Sequence, residues 1–123
     1  MMVNGSRHTC MTTGPGPRNA VVPLPAEIDL TNSSQVRGAL AGAVCAGAAV
    51  VVADASRTTF CDCAGLTALT RAHRQAAAAG AQLRIAASPA VRRILDLTRT
   101  DHFLDTYPTV TAALASRLPL RTG

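Results

Sequence analysis

The sequence predicts an α/β domain, with a central mixed β-sheet of four to five strands and about four helices packed on it. Three observations predict this. Apolar runs of strand length alternate along the chain with segments of helical periodicity. The run AAVVVAD (48–54) is apolar on both faces, as a strand covered on two sides requires. Glycine, proline and helix-capping residues fall at the junctions. With 123 residues, 48% of them apolar, the chain is long enough for one continuous core. Ala, Val and Leu must build that core, because there is no Trp, one Tyr and two Phe.

The elements follow in order. Residues 1–8 are polar and expected to be flexible, the domain to run over 9–118, and 119–123 to form a tail. Thr9–Thr13 is a short strand candidate and GPGPRN (14–19) a loop. AVVPLPAEIDL (20–30) is the next strand candidate. Pro23 and Pro25 lie two residues apart, so their missing N–H groups fall on one side and suit an edge or a loosely paired flank. TNSSQVRGALAGAVCAG (31–47) reads as a helix, capped by Thr31, Asn32 or Ser33, with Val36, Leu40, Ala43 and Val44 inward. Gly38 and Gly42 weaken it but are expected to permit close approach to the sheet. AAVVVAD is the central strand, ASRTTFC (55–61) a loop, and 62–80 a helix with Leu66, Leu69 and Ala72 inward and Gly80 at its C-terminal cap. AQLRIAA (81–87) is another strand. Ser88 caps the following helix (88–100), Pro89 takes its first position, and Val91, Ile94, Leu95 and Thr98 form its inner face. A short strand near Phe103–Thr106 and a helix starting at Pro108 complete the chain. This alternation implies pairing that is mainly parallel beyond the first hairpin.

Charge excludes some functions. The net charge of +5 is carried by arginine alone, since there is no lysine. Arg57, Arg71, Arg74, Arg84, Arg92, Arg93 and Arg99 are dispersed and have no aromatic residues interleaved, so direct nucleic-acid binding is not expected. A mildly basic, soluble surface is. The use of Arg for Lys, alongside many Ala, matches a GC-rich coding bias and is weak grounds for phosphate binding. No apolar run is long enough to span a membrane, and MMVNGSRHTC lacks the order of a signal peptide. A cytoplasmic protein is expected, in which Cys10, Cys45, Cys61 and Cys63 are free thiols by default.

The stretch TFCDCAGL (59–66) carries the chemistry. A structural zinc needs four ligands, and the other cysteines and histidines show no paired spacing. His73 falls mid-helix between Arg71 and Arg74 and is expected to face solvent. C-x-C is not the C-x-x-C redox motif. A catalytic cysteine wants a base and a positioned acid, and His8, His73 and His102 qualify only by elimination. No metal, cofactor or enzymatic activity is therefore expected. Cys61 reads as a small buried hydrophobe. Cys63 sits near a helix N-terminus, which favours the thiolate, while Asp62 opposes it. It is either a plain substitute for another residue or a sensing thiol. Asp62 is placed to cap the helix, and Gly65 to allow close backbone packing. Glu27 and Asp29 read as exposed residues at a strand end, and Asp54 as a hydrogen-bonding partner for loop amides.

These segments resemble the STAS domain, and within it the small single-domain anti-sigma factor antagonists of bacteria. AEIDL (26–30) resembles the element before the family's first helix, VVVAD (50–54) its buried strand, and TFCDCAGLTAL (59–69) its central motif. AGAQLRIAASPAVRRILDLTRTDHFLDTYPTVTAAL (79–114) resembles its tail. The resemblance covers about residues 20–118 and implies a STAS-like single domain that is a monomer or weak dimer. It implies a partner switch: the antagonist binds an anti-sigma factor that is also a serine kinase, which frees a sigma factor. Phosphorylation of the serine after the motif's Asp then breaks the complex. Here that Asp is Asp62 and the next residue is Cys63, so phosphorylation control is expected to be lost or altered. The implied partner-binding residues are Glu27, Asp29, Asp62, Cys63, Ala64 and Gly65. Two departures stand out: Cys63 in place of the phosphoacceptor, and Ala26 after Pro25 where the family often has Gly. The alternatives are a thiol-based redox-responsive module using the same surface, and a STAS subunit of a transporter or signalling assembly.

Overall fold

A computed structural model describes residues 19–100 and 104–116. Its elements are β1 (Asn19–Pro23), β2 (Glu27–Ile28), α1 (Ser33–Cys45), β3 (Val50–Ala55), β4 (Phe60–Cys61), α2 (Cys63–Ala78), β5 (Gln82–Ala87), α3 (Pro89–Leu97), β6 (Asp105–Tyr107) and α4 (Val110–Ala115). The main sheet has the order β1-β3-β5-β6 and a second sheet pairs β2 with β4. The α/β class is as expected. Every described pairing is parallel. The hairpin expected from Thr9–Thr13, which would make the sheet mixed, lies outside the described residues, as does Phe103.

The apolar run predicts its position well. β3 is central, between β1 and β5, and Val51, Val52 and Ala53 are fully buried. Val51, Ala53 and Ala55, with Leu83, Ile85 and Ala87 of β5, join the larger core with Val36, Leu40, Leu69, Ala72, Val91 and Leu95 of α1, α2 and α3. Val52 and Ala86 point to the other face, where α4 covers them through Ala113. Period-two alternation on β3 and β5 thus serves two apolar layers.

The segment 20–30 is two strands rather than one. Pro23 and Pro25 sit on either side of Leu24, whose N–H donates to the Asp54 carbonyl of β3 at 3.0 Å. The proline nitrogens thereby fall on the side away from β3, and β1 lies at one end of the described sheet. Past Pro25 the chain pairs with β4, within a segment whose sequence predicts a loop. The link is held by the Thr58 hydroxyl, which donates to the Pro25 carbonyl at 2.9 Å, and by the Thr59 N–H, which donates to the Ala26 carbonyl at 2.8 Å.

Caps match the sequence at two helices, α2 and α3, while α4, expected to start at Pro108, starts at Val110 behind a Thr109 cap that the sequence reading does not name. Asp62 accepts from the Gly65 N–H, Ser88 from the Val91 N–H and Thr109 from the Ala112 N–H. At α1 the N-cap is Asn32, but its side chain makes no cap bond. Gly47 (φ 99°) and Gly80 (φ 80°) follow α1 and α2 in the left-handed region that glycine occupies without strain.

Five expectations are corrected. Gly38 and Gly42 are exposed, and an added Cβ would meet nothing within 4 Å, so neither brings α1 to the sheet. Thr98 is exposed, because its hydroxyl bonds back to the Ile94 carbonyl at the end of α3. His73 is half-buried, with its Nδ1 enclosed and without a hydrogen-bond partner. Cys45 is disulfide-bonded, whereas Cys61 and Cys63 are free. Arg84 is buried rather than part of a basic surface. Its guanidinium donates to the Ala113 and Ser116 carbonyls at 2.6 and 3.0 Å and to Gln82 Oε1 at 3.1 Å, and so holds the end of α4 against the sheet.

Candidate functional site

The small β2–β4 sheet builds the site. Its register sets Glu27 opposite Phe60 and Ile28 opposite Cys61. The Asp62 N–H then donates to the Ile28 carbonyl at 3.1 Å. The backbones leading to Asp29 and to the start of α2 therefore run together, and residues 33 positions apart in the chain share one end of the domain.

Each predicted site residue has a defined place. Asp62 is half-buried, and its Oδ1 accepts from the Gly65 N–H at 3.0 Å, which fixes the first turn of α2. Cys63 is the first residue of that helix and is exposed. Ala64 is half-buried. Gly65 is buried: a Cβ there would lie 2.7 Å from Ile28 Cγ2 and 2.8 Å from Cys61 Sγ. Its role is close approach of α2 to β2, and it offers no side chain to a partner. Asp29 turns inward on its own loop, where its carboxylate accepts from the Thr31 N–H at 2.9 Å and from the Thr31 hydroxyl at 2.5 Å. Those bonds, the hydroxyl one first, hold its carboxyl below the usual range. Asn32 ties the loop to β2 by accepting from the Asp29 N–H and donating to the Glu27 carbonyl. Glu27 is exposed. Asp54 accepts from the Ser56 N–H and hydroxyl, as a loop-stabilising residue would.

The two free thiols differ in kind. Burial, with the charges of Asp62 and Cys63 adding to it, pushes the Cys61 thiol up to about 11. Cys61 is only 4% exposed and packs in the core, as its sequence context implied. Cys63 is open to solvent one residue beyond the cap. No group of three or more His, Cys, Asp or Glu among the described residues could hold a metal ion.

The structure adds features that the sequence reading did not single out. Phe60 is 50% exposed and Leu30 77% exposed, apolar side chains on the two segments that frame the site. Phe60 also lines a groove of about 400 Å3 with Cys61 of β4 and Pro89, Arg93 and Ile94 of α3. The signal for Phe60 was its presence in the central motif, in a chain with two Phe. Nothing in the sequence brought α3 to that motif. Among the described residues, no helix is long and apolar enough to cross a membrane.

The family model of the STAS domain matches residues 12–113. No curated protein matches the chain. Among solved structures, the chain resembles an anti-sigma factor antagonist from Mycobacterium paratuberculosis at 28% identity and a TM-score of 0.69, covering 76% of this chain and 80% of that one. A Thermotoga maritima protein assigned as an anti-sigma factor antagonist shares the fold at 18% identity and a TM-score of 0.66, over 76% of this chain and 84% of that one. The anti-sigma factor antagonist SpoIIAA in its unphosphorylated form does so at 19% identity and a TM-score of 0.64, over 79% and 86%. With the family model matched from the first described strand to the last described helix, this chain belongs to the STAS domain family.

Proposed function

We propose that this protein is a non-enzymatic anti-sigma factor antagonist. It binds a kinase-type anti-sigma factor through the exposed ends of β2 and β4 and the start of α2, and so releases a sigma factor. Glu27, Asp29, Asp62, Cys63 and Ala64 form this surface, and Gly65 shapes it from beneath. The observation that carries the reading is Cys63: it is exposed on the first residue of α2, directly after the capping Asp62. The likeness to the mycobacterial antagonist supports it. Loops and helix starts held by a rigid scaffold are where binding residues concentrate.

The test is pairwise binding to the kinase-type anti-sigma factors of the encoding organism. Glu27→Arg and Cys63→Arg alter exposed side chains and are expected to keep the fold while abolishing binding. Unchanged affinity in both variants would remove this surface from the proposal. A second reading, a redox-responsive thiol on the same surface, is favoured by one observation: of the two described free thiols, only Cys63 is exposed.

A further inference from the structure

Beside the partner surface, Ser33, Ser34 and Arg37 of α1 face Ala64, Thr67 and Arg71 of α2 across a cleft of about 130 Å3. No acidic residue lines it. Neither guanidinium has a hydrogen bond or an ion pair with any described residue, and the hydroxyls of Ser33 and Ser34 have none either. Two cations sharing a small cleft repel one another unless an anion lies between them. The first turn of α1 contains no acid that could supply one. The Thr67 hydroxyl is already committed, donating to the Cys63 carbonyl at 2.9 Å. The cleft is thus rich in donors, has no carboxylate of its own, and is small enough to suit a single tetrahedral group. Arginine content alone said nothing of phosphate; the convergence of Arg37 and Arg71 on one cleft does, because the guanidinium fork matches phosphate oxygens.

We propose that this cleft binds a tetrahedral oxyanion of the phosphate class, either free phosphate or the phosphate of a phosphomonoester. Arg37 and Arg71 clamp it from the two helices, and the Ser33 and Ser34 hydroxyls donate to it. Ala64 lines the cleft and follows Cys63 in the chain, so the bound dianion adds negative charge beside the residue that stands where the family has its phosphoacceptor. The site itself does not depend on the anti-sigma reading, and its test uses no partner protein.

The experiment is an NMR titration of the full chain at pH 7.5 with sodium phosphate and, separately, phenyl phosphate, with ionic strength held constant by sodium chloride. Saturable shifts are expected at the Ser33, Ser34 and Thr67 amides and at the Nε–H groups of Arg37 and Arg71. Arg37→Gln and Arg71→Gln should each weaken binding about tenfold, the loss of one charge-assisted partner. Arg93→Gln, on α3, should leave it unchanged. Tighter binding of phenyl phosphate identifies a phosphomonoester ligand; equal or tighter binding of inorganic phosphate identifies the free ion. Linear, unsaturating shifts of the wild-type Nε–H groups would overturn the proposal without reference to any variant. Saturation that persists in the Arg37→Gln/Arg71→Gln double variant would overturn it as well.

Discussion

At position 63 a thiol stands where the family resemblance expects a hydroxyl. Phosphoryl transfer depends on aligning the nucleophile with the terminal phosphoryl group, and sulfur's longer bond and larger radius displace it. Incubated with the kinase-type anti-sigma factor proposed as its partner and with radiolabelled ATP, the wild-type protein is expected to take no stable label at position 63. Cys63→Ser should take it, since the swap changes little volume at an exposed site. Comparable label on both would show that the switch survives. The neighbouring Cys61 behaves differently. With its thiol near 11, about one part in a thousand is thiolate at pH 8, and the side chain is also buried. Alkylation at pH 8 followed by peptide mass spectrometry should therefore label Cys63 long before Cys61. A raised thiol pKa means that the folded state keeps a proton which the unfolded state loses. Stability from this group is thus full below about 9 and falls as pH rises towards about 11, by up to roughly 2–3 kcal/mol. Urea unfolding of wild type and Cys61→Ala between pH 7.5 and 10.5 measures it: the wild type should lose about 2 kcal/mol more than the variant across that range.

At the scale of the element, the start of α2 is over-determined. Asp62 caps it, and Gly65 lets it rest on β2 and Cys61. Asp62→Ala removes an acceptor for the Gly65 N–H and should cost about 0.5–2 kcal/mol. Gly65→Ala places a methyl 2.7 Å from Ile28 Cγ2 and 3.1 Å from the Ile28 carbonyl, where β2 would have to shift. Overpacking of this kind costs about 1–3 kcal/mol. Urea denaturation of both variants checks the order of magnitude. A neutral Gly65→Ala would mean that β2 yields more readily than its pairing with β4 implies. The helix here was legible in the sequence because Asp62 and the spacing of Leu66, Leu69 and Ala72 are local signals. The pairing of β2 with β4 was not, because two-residue strands leave no periodicity to read.

At the scale of the whole molecule, Arg84 decides how the last helix docks. It lies on the face of β5 that α4 covers, with its guanidinium 5.9 Å from the Tyr107 ring centroid. Gln82 accepts from it and donates to Asp105 at 3.0 Å, so a buried polar chain links β5, β6 and α4. A cation at the C-terminal end of a helix also satisfies carbonyls that have no partner within it. Arg84→Met keeps much of the volume but leaves the Ala113 and Ser116 carbonyls without this donor. A loss of about 2–4 kcal/mol is expected. Hydrogen exchange should show α4 opening before the rest of the sheet; uniform protection across α4 and β3 would contradict this role.

The sequence by itself determined the class of fold, the central position of β3, two helix caps and the placement of the motif at the start of α2. Each of these is written in residues near one another in the chain: a two-faced apolar run, a capping side chain, a helical period. Tertiary structure alone decided which residues meet across the chain. It sent Arg84 inward although its neighbours in composition face water, and it set which atoms, Ile28 Cγ2 and Cys61 Sγ, lie against Gly65. It also exposed Phe60 beside α3 and brought Arg37 to Arg71 from separate helices. Such outcomes depend on strand order and on which faces of two elements are pressed together, and sequence spacing carries no record of that beyond a turn of helix or a pleat of strand.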